Sequence, residues 1–171
     1  MNKTKKLVLI SLLISQALIL SIIESWIPVP VPVPGVKLGL ANIITVVVII
    51  FFSFKEALTV VMIRTMIISI LGGGGLIVFL FSSVGGILSA IVMAGLYKVK
   101  GDIFSIIGIS IAGAAAHNIG QVLVATFLMR DIAVITILPL ILVFGSVMGV
   151  LIGIVSSFLE RKLRKAKIFD T

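Results

Sequence analysis

The sequence predicts an all-α integral membrane protein, a single domain of six transmembrane helices with a proline-rich external loop between helices 1 and 2. Three observations carry this expectation. Hydrophobic residues make up 60% of the 171 positions and the mean hydropathy is +1.38, far above a soluble domain. The apolar residues form long blocks, interrupted by short polar or glycine-rich breaks around residues 55–56, 72–75, 98–102 and 130–131. The charges gather at the block ends, where anionic lipid head groups and insertion topology account for a net charge of +8 without nucleic acid. Cysteine is absent, which excludes disulfides, thiol chemistry and cysteine-ligated metal.

In chain order, the first helix is expected over residues 7–27, about 31 Å at 1.5 Å per residue and therefore a full span. Lys3, Lys5 and Lys6 before an apolar core give it the look of a signal peptide. No small-x-small cleavage site precedes Trp26, however, so a first transmembrane helix is the expectation. Helices 2 and 3 are expected at 40–54 and 57–71, short for spans, with a turn at Lys55-Glu56. Gly72–Gly75 reads as a hinge before helix 4 at 77–97. Helix 5 follows at 103–129 and helix 6 at 132–159, joined by a solvated Arg130-Asp131 turn, and a basic tail covers 160–171.

Between helices 1 and 2, Pro28, Pro30, Pro32 and Pro34 alternate with valines. Proline lacks an amide donor and drives its predecessor out of the α region, so this piece is expected to be extended and polyproline-like. Non-helical backbone at membrane depth is tolerated where protein buries it or it lines a wet cavity. The segment is therefore expected to lid or line a binding site.

Six spans put both termini on one side. With the termini cytoplasmic, that side holds Lys3, Lys5, Lys6, Lys55, Lys98, Lys100, Arg161, Lys162, Arg164, Lys165 and Lys167. Lys37, Arg64 and Arg130 remain, and the positive-inside rule selects this orientation, in a bacterial cell membrane, with the proline segment outside.

Ionisable residues inside a span usually face a cavity or each other. Here they are Glu24, Arg64 and His117, with Lys37 close by and amides at Gln16, Asn42, Asn118 and Gln121. Except for Gln16, all fall in the middle and outer half. His117 and Gln121 are four residues apart, and Asn118 and Gln121 three, so the three share a helix face. The plain alternatives are helix-to-helix hydrogen bonds for His117 and Gln121, and a structural ion pair of Glu24 with Arg64 or Lys37. Gly145, Gly149 and Gly153 form a small-residue stripe on helix 6, with packing inside one bundle weighed against docking to a partner subunit.

Templates for catalysis are missing. Asp102, Asp131 and Asp170 are too dispersed for a magnesium-diphosphate motif, and the glycine run lacks the Lys-Ser/Thr of a P-loop. One histidine with few acids makes no dedicated zinc site. Neither enzyme activity, metal nor cofactor is expected.

Glu24-Ser25, the prolines, Pro34-Gly-Val-Lys-Leu-Gly-Leu-Ala-Asn42-Ile, Lys55-Glu-Ala57, Arg64, Gly85-Gly86 and Ala116-His-Asn-Ile-Gly-Gln121 together resemble the heptaprenyl diphosphate synthase component I, or Gx transporter, family. That family is in turn similar to the substrate-binding S components of energy-coupling factor (ECF) transporters. The resemblance implies six helices, a ligand site near the outer face and a covering loop after helix 1. It also implies capture of a small isoprenoid-, quinone- or vitamin-related ligand, with energy from separate ECF ATPase and scaffold subunits. Glu24, Lys37, Asn42, Arg64, His117, Asn118 and Gln121 would bind the ligand, and Trp26 and the valines would give apolar contact. Ser11, Ser15, Ala17 and Ser21 resemble the small-residue face on which S components dock. The second reading is an accessory membrane subunit of heptaprenyl diphosphate synthesis, and the third a purely structural bundle.

Overall fold

The computed structural model describes residues 2–27, 37, 39–99 and 104–169. Its elements are α1 (Lys3–Ser25), α2 (Asn42–Phe51), α3 (Phe54–Leu71), α4 (Gly75–Lys98), α5 (Ile106–Met129), a 3-10 helix (Ile132–Ile137) and α6 (Leu138–Lys165). Four stretches are long and apolar enough to cross a membrane: α1, α4, α5 and the continuous Ile132–Lys165. Length and hydropathy thus define a helical membrane protein. The polyproline expectation falls on residues 28–36, which lie outside the described residues, as does Asp102.

The centre of the bundle is the shortest α-helix. α2 has ten residues, about 15 Å and half a hydrocarbon core, not the fifteen of the sequence expectation. Asn42 through Ile49 are all buried, and α2 touches every other α-helix. A helix apolar on all sides is stable only when enclosed, and β-branched Ile, Val and Thr side chains fill the space around it. Before its start, two described residues are held by neighbouring helices. The amide of Gly39 donates to Glu24 Oε1, and the amide of Lys37 donates to Gln121 Oε1 at 3.3 Å.

Three further boundaries are corrected. Lys55-Glu56 is not a turn: the break lies at Phe52-Ser53, and the Ser53 side chain caps α3 by accepting from the Lys55 amide. Lys6 bonds Glu56 and ties α1 to the start of α3. Helix 6 opens as a 3-10 helix, capped by Asp131 accepting from Ala133 N at 2.8 Å. It then runs to Lys165, so most of the basic tail is helical, and Phe169 folds back to stack on Phe51 at 4.4 Å between centroids. Arg130 and Asp131 form the exposed turn that the sequence suggests.

α5 packs most extensively, between α4 and α6, and glycines set both distances. A Cβ on Gly120 would lie 2.9 Å from Gly85 Cα, and a Cβ on Gly149 2.7 Å from Ile111 Cα. Gly145, Gly149 and Gly153 all face α5, so the stripe on helix 6 serves packing inside the bundle.

Candidate functional site

Four helices and Lys37 bring polar groups to one place, and a fifth helix makes room for them. From α1, Glu24 is buried and accepts the Gly39 amide. From α3, Arg64 is 5% exposed and donates through Nη1 to Ser21 Oγ at 3.2 Å, leaving Nε and Nη2 without partners. α4 contributes bare backbone: a Cβ on Gly86 would lie 3.3 Å from Arg64 Nη2, and one on Gly85 3.0 Å from His117 Nδ1. These two glycines make room for the guanidinium and the imidazole.

His117 on α5 is 2% exposed, and neither ring nitrogen has a hydrogen bond; Nδ1 faces the Gly85 backbone short of bonding geometry. Gln121, one turn on, receives the Lys37 amide while its Nε2 is unpartnered. Asn42, at the first turn of α2, has neither side-chain polar atom paired. Lys37 is half-buried in the connecting segment, and burial holds its ammonium below the ordinary lysine value, against the pull of Glu24.

Native proteins leave few buried polar groups unpaired, and an unpaired one costs about 1–3 kcal/mol. Here the orphans of Asn42, Arg64, His117 and Gln121 come from three helices, α2, α3 and α5, and lie in one region. Most are donors, and Lys37 adds another cation against the single acid Glu24. The arrangement suits an acceptor-rich, anionic partner.

Of the seven candidate ligand residues, six converge. Asn118 does not: its Nδ2 donates to the Ile141 carbonyl at 3.0 Å beside Gly145, so it serves the α5–α6 contact. No ion pair joins Glu24 to Arg64 or Lys37 among the described residues. The docking face of helix 1 also divides. Ser11 and Ser15 are exposed, as is Gln16, whereas Ala17 and Ser21 are buried and point inward with Glu24. Ser21 is thus a partner of Arg64, and Ala17, with no exposed surface, is core.

Two positions escaped the sequence reading. Thr45, one turn below Asn42, buries an unpaired hydroxyl. Gly39 has φ +88°, a conformation that side chains disfavour, and a Cβ there would lie 2.8 Å from Asn42 Nδ2. Gly39→Ala is expected to destabilise the protein by about 1–2 kcal/mol from the backbone alone and to displace Asn42. Thermal unfolding in detergent checks this, with an unchanged midpoint counting against the left-handed Gly39 conformation.

An all-helical membrane bundle with an orphaned polar cluster at its centre sets the class of protein. Its lineage follows from its sequence profile: the chain belongs to the heptaprenyl diphosphate synthase component I family, whose profile matches residues 13–159. No curated protein and no solved structure matches the chain.

Proposed function

We propose that this chain is a non-catalytic membrane subunit that captures a small anionic ligand from the outer face, in the manner of an ECF S component. The observation that carries the reading is the convergence of buried, unpartnered donors from Asn42, Arg64, His117 and Gln121. Arg64 and Lys37 supply charge, His117, Asn42 and Gln121 orient the ligand, and Glu24 holds the connecting segment through Gly39. Separate ATPase and scaffold subunits would drive uptake. The test is native mass spectrometry of protein extracted from its own membrane. One bound small anion is expected, absent from Arg64→Ala protein; the same adduct on both proteins removes the reading.

The topology that belongs to this proposal is six membrane-embedded helices, both termini cytoplasmic and the α1–α2 connection outside. α2 and α3 enter as short partners, α3 being eighteen residues long with Lys55, Glu56 and Arg64 in it. Single cysteines in place of Trp26 and Ala166, both outside the bundle core in this cysteine-free chain, report it. An impermeant maleimide on intact cells should label Trp26→Cys and spare Ala166→Cys. The opposite pattern inverts the protein.

The family's name favours a second reading, an accessory subunit that works with another component of heptaprenyl diphosphate synthesis. Copurification separates the two: ECF subunits accompany the first, a soluble prenyl transferase the second. In either case the purified chain, given allylic and isopentenyl diphosphates with magnesium, should yield no longer product.

A further inference from the structure

The polar cluster has two parts of different chemistry. Arg64 and Lys37 are its cations. Asn42, Thr45, His117 and Gln121 make the other part, each no more than 2% exposed. Their unpartnered atoms are of both kinds. Asn42 has Nδ2 to donate and Oδ1 to accept, and a neutral imidazole has one nitrogen for each role. Gln121 spends Oε1 on the Lys37 amide and keeps Nε2, while the Thr45 hydroxyl serves either way. Three glycines join the two parts. A Cβ on Gly39 would lie 2.8 Å from Asn42 Nδ2 and 3.6 Å from His117 Cδ2, so these side chains flank one bare backbone position. Gly85 and Gly86, consecutive on α4, face His117 Nδ1 and Arg64 Nη2 in turn, which makes the imidazole and the guanidinium neighbours.

We infer that the ligand carries, a short spacer away from its anionic group, a neutral amide edge: a carboxamide, ureido or lactam group. The inference rests on the anion-capture reading and adds a second recognised group to it. The anion meets Arg64, where a charge-assisted bond is strongest. The amide edge meets Asn42 in a two-point pair, each side donating once and accepting once, with His117 and Gln121 beside it. Other groups fit this part less well. A bare anion leaves it unpaired. A second carboxylate or phosphate only accepts, so Asn42 Oδ1 and the accepting imidazole nitrogen would stay without a hydrogen. A hydroxyl has one hydrogen for those two acceptors. A hydrocarbon serves none of these atoms, and each then keeps the cost of burial without a partner.

Protein in nanodiscs is titrated with succinamate, 4-methylpentanoate and succinamide, with empty nanodiscs as the blank. The first two share a carboxylate and a shape, an isopropyl group in one replacing the carboxamide of the other. Succinamide has the amide without the charge. Succinamate should bind at least about tenfold more tightly than 4-methylpentanoate, the worth of two neutral hydrogen bonds. A site built to hydrogen-bond a polar group rejects the analogue that leaves its own groups unpaired. Succinamide should bind weakest. Asn42→Leu, close in shape but unable to donate or accept, should erase the preference between the two acids. It removes two unpaired buried atoms, so its thermal midpoint should hold or rise. Equal affinity for the two acids, or a preference that survives Asn42→Leu, overturns the amide edge. Either result assigns the neutral part to buried water and leaves anion capture standing. Succinamide binding as tightly as succinamate, or binding by none of the three, brings down the anion-capture reading as well.

Discussion

Arg64→Ala protein is expected to bind its anionic ligand ten- to a hundredfold more weakly than the parent. Arg64 is buried, holds one modest bond to Ser21, and keeps two donor nitrogens free. Removing one charge-assisted contact costs about 1.5–3 kcal/mol, which is that range of affinity. Arg64→Lys separates charge from geometry. It retains a cation but loses the planar fork, so it should recover only part of the loss. The effect on the empty protein has the opposite character. Because no direct ion pair joins Arg64 to Glu24, and Glu24 keeps its Gly39 bond, removing the arginine relieves an under-satisfied buried charge. The thermal midpoint of the empty variant should therefore hold or rise while binding falls. Isothermal titration and unfolding on the same preparation read both. Intact affinity in both Arg64→Ala and His117→Ala would place the ligand elsewhere in the bundle.

Gly153→Leu should do the reverse and unfold the bundle while touching no polar group. A Cβ at Gly153 would lie 2.5 Å from Ile107 Cα, and the obstacle is backbone, which cannot rotate aside as a side chain does. Overpacking of this kind costs about 1–3 kcal/mol and more when helices must separate. For a chain of this size each kcal/mol moves the midpoint by about 2–4 °C, so a fall of about 5–10 °C is expected. Gly95→Leu is the control: that glycine is exposed and nothing lies within 4 Å of its added carbon. A midpoint for Gly153→Leu equal to that of Gly95→Leu would deny the close α5–α6 approach.

The sequence patterns that proved legible were those with large energies behind them. Long apolar blocks gave the helices, and residues costly to bury pointed to the cluster, since Glu24, Arg64 and His117 persist in a span only for a reason. The periodicity of α1 was far less informative. In lipid both the buried and the exposed face of a helix are apolar, so nothing in the spacing of Ser11, Ser15, Ala17 and Ser21 distinguishes the outward pair from the inward pair. Only the packing of α1 against its neighbours puts Ala17 and Ser21 inside and leaves Ser11 and Ser15 outside. Asn118 misled for a related reason. Neighbouring polar residues on α5 diverge by the helical turn, and only the position of α6 and its Gly145 gap decides that Asn118 bonds there. α2 is shorter than its apolar run, which continues through Phe51-Phe52, because the Phe52-Ser53 break ends it, and the contacts of Lys37 and Gly39 that precede its start depend on partners in α5 and α1.

That ten-residue α2 has an electrical consequence. In the proposed orientation, a ligand that comes to rest at its first turn has left the outer surface and descended part of the way through the transmembrane voltage drop. Moving one charge through the whole drop is worth about 2.3 kcal/mol per 100 mV. An anion that crosses a quarter to a half of it against an inside-negative potential loses about 0.6–1.2 kcal/mol per charge. Energised cells should therefore hold the ligand several-fold more weakly than the purified protein does, and collapsing the potential should tighten its grip.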